Sequence, residues 1–572
     1  LLGTINENGQ AIMSLHQYLL AGLLFLTIGC DTADKGQAIT IETPETDTAI
    51  SNFWKNATVY FLLTDRFNNG DPDNDLSLNR KKDGAVLRSF EGGDLKGITQ
   101  KIEEGYFDKL GVNAIWMTPV VEQIHGSTDE GTGKTYAYHG YWAKDWTSLD
   151  PNFGTEADFA ALIAAAHQRG IRILMDVVIN HTGPVTDLDP QWPDSWVRTG
   201  PPCNYQDYES TVTCTLVENL PDIKTESEET VDLPPFLKEK WATEGRLAEE
   251  EKELDAFFAK TGYPRAPRFY IIKWLTDWIR KYGIDGFRVD TVKHTEAEIW
   301  QELKEAAEAA FREWKAANPG LVLDEEDFYM VGEVYGYHVE AEKMYDYGDR
   351  KVDFFANGFE GLINFSFKQD ATDTYESLFS KYSALLNSDN MQSVGILNYL
   401  TSHDDGSPFD PQREKSRETA TKLLLSPGGA QIYYGDETAR PLAIEGANGD
   451  ANLRSFMNWD DLVEPGNQEL LQHWQKLGQF RKNHLAIGAG QHQQLQASPY
   501  LFKRTLQVDE QTVDQVLIGL DLEKGVKEIS VYNTFPEGAQ VRDFYSGTLA
   551  TVENGKIRID SPYDILLIEV LE

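Results

Sequence analysis

From Ala57 to about residue 435 the chain alternates short apolar runs with helical segments, and the runs tend to end on polar or charged residues. Residues 58–63, 114–117, 171–179, 286–289, 328–331, 394–400 and 430–434 read as strands, being short and rich in β-branched and aromatic side chains. Residues 157–168 and 269–281 read as helices, stopped at Gly170 and Gly283, where glycine suits a left-handed C-cap. Trp300, Leu303, Ala307, Phe311 and Trp314 share one face of a third helix. Repeated βα units over this length predict a parallel α/β barrel, a (β/α)8 fold. A doubly wound sheet is the alternative, but no glycine-rich phosphate loop accompanies it.

The spacing has one anomaly. Strand ends near 290, 333 and 404 lie 43 and 71 residues apart, about one and two βα units, whereas those near 181 and 290 lie 109 apart. An insertion must fill the excess. Residues 183–262 fit it, with two cysteines, proline-rich turns and a charged helix at 247–260 that reads as a solvated face. The barrel then comprises residues 51–182 and 263–484. From 485 the texture changes to short alternating strands at 500–506, 515–522, 528–532, 556–559 and 565–570, which predict a C-terminal antiparallel β domain over 485–572.

The net charge of −40, spread over all these segments, argues against nucleic-acid or anionic-membrane binding and suits a neutral substrate, cations or a saline medium. Residues 18–29 form an apolar run too short to span a bilayer, ending at Cys30. Residues 1–30 therefore read as a leader, with Met13 as its natural start. Gly29-Cys30 resembles a lipobox; the alternative is an ordinary cleaved signal. Residues 31–50 are polar and threonine-rich and read as a linker. The chain is expected to be exported: periplasmic, a cell-surface lipoprotein, or secreted, touching membrane only through a lipid on Cys30. In such a compartment Cys203 and Cys214 are expected to form a disulfide, with two free buried thiols as the alternative.

The strand ends carry the chemistry. One ends at Asn180-His181, the next at Arg288-Val-Asp290 followed by Lys293-His294, the next at Glu333, and a later one at His403-Asp404. In a barrel these converge at the C-terminal mouth. Arg288 and Asp290 are two apart on a strand and face the same way, so Arg288 keeps Asp290 ionised, as a nucleophile requires. Glu333 suits an acid whose pKa is raised by burial and neighbouring carboxylates. A carboxyl pair about 5–5.5 Å apart performs retaining glycoside cleavage. Asp404 could bind sugar hydroxyls and stabilise positive charge at the anomeric carbon; His181 and His403 are hydroxyl-binding candidates.

The segments DVVINH, GFRVDTVKH, GEV and SHDD resemble, in order and spacing, the four conserved regions of the α-amylase family, glycoside hydrolase family 13. LPDIKTE at 220–226 resembles its fifth region, and AYHGYW at 137–142 its loop after strand two. The resemblance covers roughly residues 53–485 and implies an inserted domain B after strand three and a C-terminal β-sandwich. It implies Asp290 as nucleophile, Glu333 as general acid/base, and Asp404 as the group that distorts and stabilises the sugar. Arg288 would support Asp290; His181, His403 and His139 would bind hydroxyls; Tyr141 would stack on the ring. Lys293 and His294 would line the leaving-group side.

The resemblance also implies calcium, held by Asn180, Asp222 and the His294 carbonyl between barrel and insertion. A second calcium loop is implied by Asn69, Asp71, Asn74, Asp75, the Gly92 carbonyl and Asp94, against the alternative of a plain acidic turn. Hard oxygen ligands suit this ion. Ser402 precedes His403 where the chloride-dependent branch has Asn, so chloride is not expected. The function implied is endo-type hydrolysis of α-1,4 links in starch and maltodextrins by a monomer. The insertion, with its LPPFLKEKW segment, most resembles periplasmic bacterial α-amylases. The rival is a transglycosylase such as a cyclodextrin glucanotransferase or a 4-α-glucanotransferase; a non-catalytic starch-capture protein is argued against by the complete Asp290, Glu333 and Asp404 set.

Overall fold

The computed structural model describes residues 50–129 and 131–571. The leader, Cys30 and the linker up to residue 49 lie outside the described residues. Eight parallel strands close into a barrel: β1 Thr58–Leu62, β2 Ala114–Met117, β3 Arg172–Val177, β4 Gly286–Val289, β5 Tyr329–Gly332, β6 Gly361–Asn364, β7 Gly395–Asn398 and β8 Gly429–Tyr433. Neighbours in sequence are neighbours in the barrel, and β8 returns to β1 with Thr58 opposite Ala430. Seven of these strands coincide with expected ones; β6 fills the expected gap of two units. With only Leu362 and Ile363 between Gly361 and Asn364, it carries almost no periodic signal.

The outer helices form where local sequence favours them. Helix Glu156–His167 begins with a capping box in which Thr155 accepts from the Asp158 amide and Asp158 reaches back to Thr155. Helix Pro267–Tyr282 starts with proline and ends at Gly283, whose φ is +73°. A Cβ at Gly283 would lie 2.1 Å from the Trp314 ring, so glycine is required twice over. Helix Ala297–Ala317 buries the predicted face through Trp300, Leu303, Ala307, Phe311 and Trp314.

Between β3 and helix Pro267–Tyr282 lies the insertion. Its first half holds a two-stranded ladder, Val197–Arg198 with Asp222–Ile223, and the loop closed by the Cys203–Cys214 disulfide. Its second half, helices Pro235–Thr243 and Leu247–Thr261, packs back onto the barrel. The second helix is therefore more than a solvated face. Leu254 and Phe258 are buried, and the Phe258 ring meets Tyr270 at 4.9 Å. Lys240 and Arg246 reach the buried Asp145 at 2.7 and 3.0 Å.

Beyond the barrel, strands Gln491–Gln496, Tyr500–Gln507, Val513–Leu520, Leu566–Val570, Gln540–Asp543 and Thr548–Thr551 form, in that spatial order, an antiparallel sheet. A second ladder, Gly525–Ser530 with Lys556–Ser561, faces it across a small core that includes Leu517, Ile529, Ile557 and Ile568. Alternate residues of the large sheet, Phe502, Val516 and Ile518, join the barrel core instead. Two buried guanidiniums secure the seam: Arg481 donates to the carbonyls of Asn56, Leu424 and Ser426, and Arg504 to those of Ile487 and Leu425. The Leu424 and Leu425 carbonyls end helix Ser416–Leu424, where the helix dipole favours a cation.

Candidate active site

Val289 is the register partner of Gly332, so the next residues, Asp290 and Glu333, stand on neighbouring strand ends at the C-terminal mouth. Their backbones continue the ladder: the Asp290 amide donates to the Val177 carbonyl and the Glu333 amide to the Val289 carbonyl, each at 2.9 Å. Neighbouring strands are about 4.8 Å apart. Both side chains are nearly buried, whereas Asp404, in the loop after β7, keeps 35% of its side-chain surface exposed.

Arg288 Nη1 lies 2.6 Å from Asp290 Oδ1 and 3.0 Å from Asp176 Oδ1, so one guanidinium bridges two carboxylates. Among the described residues Glu333 faces no such cation at hydrogen-bonding distance; its Oε2 accepts the Thr291 amide at 2.7 Å. Burial, with the Asp290 charge nearby, pushes Glu333 up to about 8, which leaves it protonated at neutral pH. Burial also raises Asp404, but His403, Arg288 and Arg454 outweigh it and leave that carboxyl below its ordinary range. The mouth thus holds a protonated acid beside an arginine-bound carboxylate, with a third, ionised carboxylate open to solvent.

The aromatic and histidine groups assemble around Tyr141. Its ring stacks on His403 at 5.2 Å, its amide donates to His139 Nδ1 at 3.1 Å, and its hydroxyl donates to Asp176 Oδ2 at 2.7 Å. With Nδ1 accepting, His139 carries its proton on Nε2. His181 turns Nε2 to the Tyr141 carbonyl at 3.1 Å. Burial lowers all three histidines, His403 to about 4, so they present neutral rings. His294 donates from Nδ1 to the Thr211 carbonyl at 2.9 Å, tying the disulfide loop to the end of β4. Lys293 lies beside it on the cleft wall.

Two residues that sequence reasoning left without a role belong to this arrangement. Asp176, on β3, accepts from Trp116 Nε1 at 2.9 Å as well as from Tyr141 and Arg288. An acid inside an otherwise apolar strand was the available signal. Arg454 donates from Nε to the His403 carbonyl and pairs with Asp450 at 2.7 Å; nothing local to its loop announces that.

The two expected calcium sets differ in fit. Asn180 and Asp222 are brought together, with the Ile223 amide on the Asn180 carbonyl at 2.8 Å. Yet Asp222 Oδ2 already faces Arg198 Nε at 3.1 Å, and Arg198 also pairs with Glu226. Burial, with Glu296 and Glu226 nearby, nevertheless pushes Asp222 up to about 9 against that guanidinium, and Arg198 Nε makes no hydrogen bond, so the carboxylate is under-compensated and the set keeps room for a cation. In the second set the buried carbonyl oxygens Asn69 Oδ1 and Asn74 Oδ1 have no hydrogen-bond partner. Asp75 is beside them, accepting from Asn69 Nδ2 at 2.8 Å, and Gly92 approaches so closely that a Cβ would lie 2.5 Å from Asp75 Oδ1. Asp71 is paired with Lys96, and Asp94 is spent on the amides of Gly70, Asp71 and Gly97. Among the described residues no three His, Cys, Asp or Glu side chains gather as a metal cluster. In the second set the donors left for a hard cation are Asn69, Asn74, Asp75 and the Gly92 carbonyl.

Residues 61–466 match the model of the α-amylase catalytic domain. The chain is 40% identical over 509 residues to the periplasmic α-amylase of Escherichia coli (strain K12), covering 79% of this chain and 70% of that one. It is 27% identical over 460 residues to a cyclomaltodextrin glucanotransferase of Geobacillus stearothermophilus, of which the alignment spans 57%. The fold is similar to that of an Anoxybacillus α-amylase crystal structure, with a TM-score of 0.61 and 23% identity, covering 91% of this chain and 99% of that one.

Proposed function

The chain belongs to the α-amylase family of glycoside hydrolases, and on that premise we propose that it cleaves α-1,4-glucosidic bonds in starch and malto-oligosaccharides within the chain and with retention of configuration. The observation that carries this reading is the unequal environment of Asp290 and Glu333 on adjacent strand ends. Asp290, gripped by Arg288, attacks the anomeric carbon while Glu333 gives its proton to the departing glycosidic oxygen. The glycosyl group is then esterified to Asp290. Glu333, now a carboxylate, removes a proton from water, which displaces Asp290 and restores both groups. Asp404 accepts hydroxyls and stabilises the oxocarbenium-like transition state. Tyr141 stacks beneath the sugar, and the neutral His139, His181 and His403 orient its hydroxyls or the tyrosine itself. Lys293 and His294 line the leaving-group side.

Calcium bound by Asn69, Asn74, Asp75 and the Gly92 carbonyl would stabilise the loop after β1. Its role is structural, and the bond-breaking steps need only the residues named above. Export fits the disulfide and the likeness to a periplasmic enzyme, with lipid on Cys30 as one form of it.

Asp290→Asn tests the reading: starch hydrolysis should be lost, with the first-formed product of the wild type in the α-configuration by NMR. Retained hydrolysis in the variant, or a β-product, would sink it. A transglycosylase is the second reading, favoured by the likeness to a glucanotransferase. The same residues would serve it, with a sugar hydroxyl replacing water. Linear short products from maltoheptaose support hydrolysis; cyclic or longer products support transfer.

A further inference from the structure

Asp405, the residue after Asp404, is held from two neighbouring strands. Lys368 Nζ and the Tyr399 hydroxyl both donate to its Oδ2, the latter at 2.7 Å, and the Ser407 amide donates to its Oδ1 at 3.2 Å. Lys368 lies in the short helix Phe367–Asp370 just past β6, and Tyr399 is the first residue after β7. All three side chains are buried, Asp405 at 7% exposure and Lys368 at 8%. Among the described residues Lys368 pairs with no other carboxylate. Taking an ammonium and a carboxylate out of water is costly, so such a pair is a weak source of net stability. What two donors converging on one oxygen do fix is the place of residue 405.

Among the described residues Asp404 has one hydrogen-bond donor, Ser402 Oγ, at 3.1 Å from its Oδ1. His403 Nδ1 stands 3.7 Å away, and 35% of the Asp404 side chain is open to solvent. Its two chain neighbours, by contrast, are both pinned. On one side Arg454 Nε donates to the His403 carbonyl at 2.9 Å. On the other, Lys368 and Tyr399 grip Asp405. The Phe409 amide donates to the Leu400 carbonyl at 3.0 Å and closes the loop at its base. The exposed carboxylate is thus suspended between two cationic anchors that come from outside its own loop.

We propose that Asp405 is a positioning residue for Asp404, with Lys368 and Tyr399 as its anchors. This rests on the glucan reading above and deepens it. Lys368 and Tyr399 carry the fixed spacing of β6 and β7 out to the loop, and the peptide between residues 404 and 405 passes it on. Asp404 is thereby in place before the sugar arrives, where a misplacement of about 1 Å costs up to about a hundredfold in rate. Asp405, being buried, acts through its neighbour.

The test is a double-mutant cycle in the full chain, read on α-maltotriosyl fluoride so that weak variants stay measurable, with thermal unfolding run alongside. Asp405→Ala should lower kcat about thirtyfold and change KM by less than about twofold. In an Asp404→Asn background the same substitution should change kcat by less than about twofold, because the group it positions is already gone. An equal loss in both backgrounds would overturn the proposal, since Asp405 would then act on the fold as a whole. Lys368→Met with Asp405→Leu removes both charges and leaves no buried ion unpaired, so it serves if the alanine variant unfolds. It should melt near the wild type and still lose kcat about thirtyfold; wild-type kcat in it would overturn the proposal. A wild type inactive on both the fluoride and maltoheptaose would overturn the glucan reading and this inference with it.

Discussion

Asp176 and Arg288 are register partners on adjacent strands, and their side chains meet at 3.0 Å beneath Asp290. Asp176 also receives Tyr141 and Trp116, so it joins the guanidinium that faces Asp290 to the Tyr141 ring. Asp176→Asn keeps an oxygen acceptor but removes the charge, and kcat/KM on maltoheptaose should fall about tenfold. Asp176→Ala leaves buried donors unmatched and should also cost about 3–5 kcal/mol in urea unfolding. An alanine variant as stable and active as wild type would contradict this account.

Glu333 gives a pH signature with a definite sign. Its proposed acid role is lost as pH rises through about 8, so activity should hold to that region and decline above it. Its effect on stability follows from the same shift. The folded value lies above the ordinary 4.5, so the favourable contribution is fully present below 4.5 and is lost as pH rises through about 8. Glu333→Gln should therefore be inactive yet more stable. The gain should be small at pH 4 and grow to on the order of 3 kcal/mol above pH 8. Chemical unfolding at several pH values measures this; a gain that does not vary with pH would refute it.

His484 has the opposite chemistry at the barrel seam. Its two ring nitrogens lie 2.8 Å from Asp514 and Glu569 of the C-terminal sheet. Burial disfavours its charge, but these carboxylates overcome that and raise it to about 9. The stabilisation is fully present below the ordinary 6.5 and is lost as pH rises through about 9. His484→Gln should cost about 1–3 kcal/mol at pH 6, with the deficit shrinking by pH 10. Thermal unfolding at both pH values checks it, and an equal deficit at each would contradict it.

Chelation distinguishes the two oxygen-rich regions. EDTA should lower the melting temperature of the wild type, and Asn69→Ala with Asn74→Ala should abolish that response. Asp222→Asn tests the other region: a response left in place assigns the stabilising ion to the loop after β1. Loss of the EDTA effect in Asp222→Asn alone would place the ion at the barrel–insertion junction instead.

The placement of Asp290, Glu333, Asp404 and Arg288 at the barrel mouth was readable because each lies in a contiguous motif at a strand end. The barrel was readable because its strands are apolar runs separated by capped helices. What escaped depends on partners distant in sequence. Asp176 acquires its place through Trp116, 60 residues away, and Arg454 through His403, 51 away. Helix Leu247–Thr261 reads as solvated because acidic residues dominate it, yet Leu254 and Phe258 are enough to dock it. Asp222 matches a ligand pattern, but only the folded ladder brings Arg198 across from it.

The pairing of Val289 with Gly332 has a consequence for how such an enzyme diversifies. The separation of the Asp290 and Glu333 backbones is inherited from the spacing of a parallel sheet, which no loop substitution can stretch. Loops such as the Cys203–Cys214 segment are free to vary in length and chemistry while the strand ends stay in place.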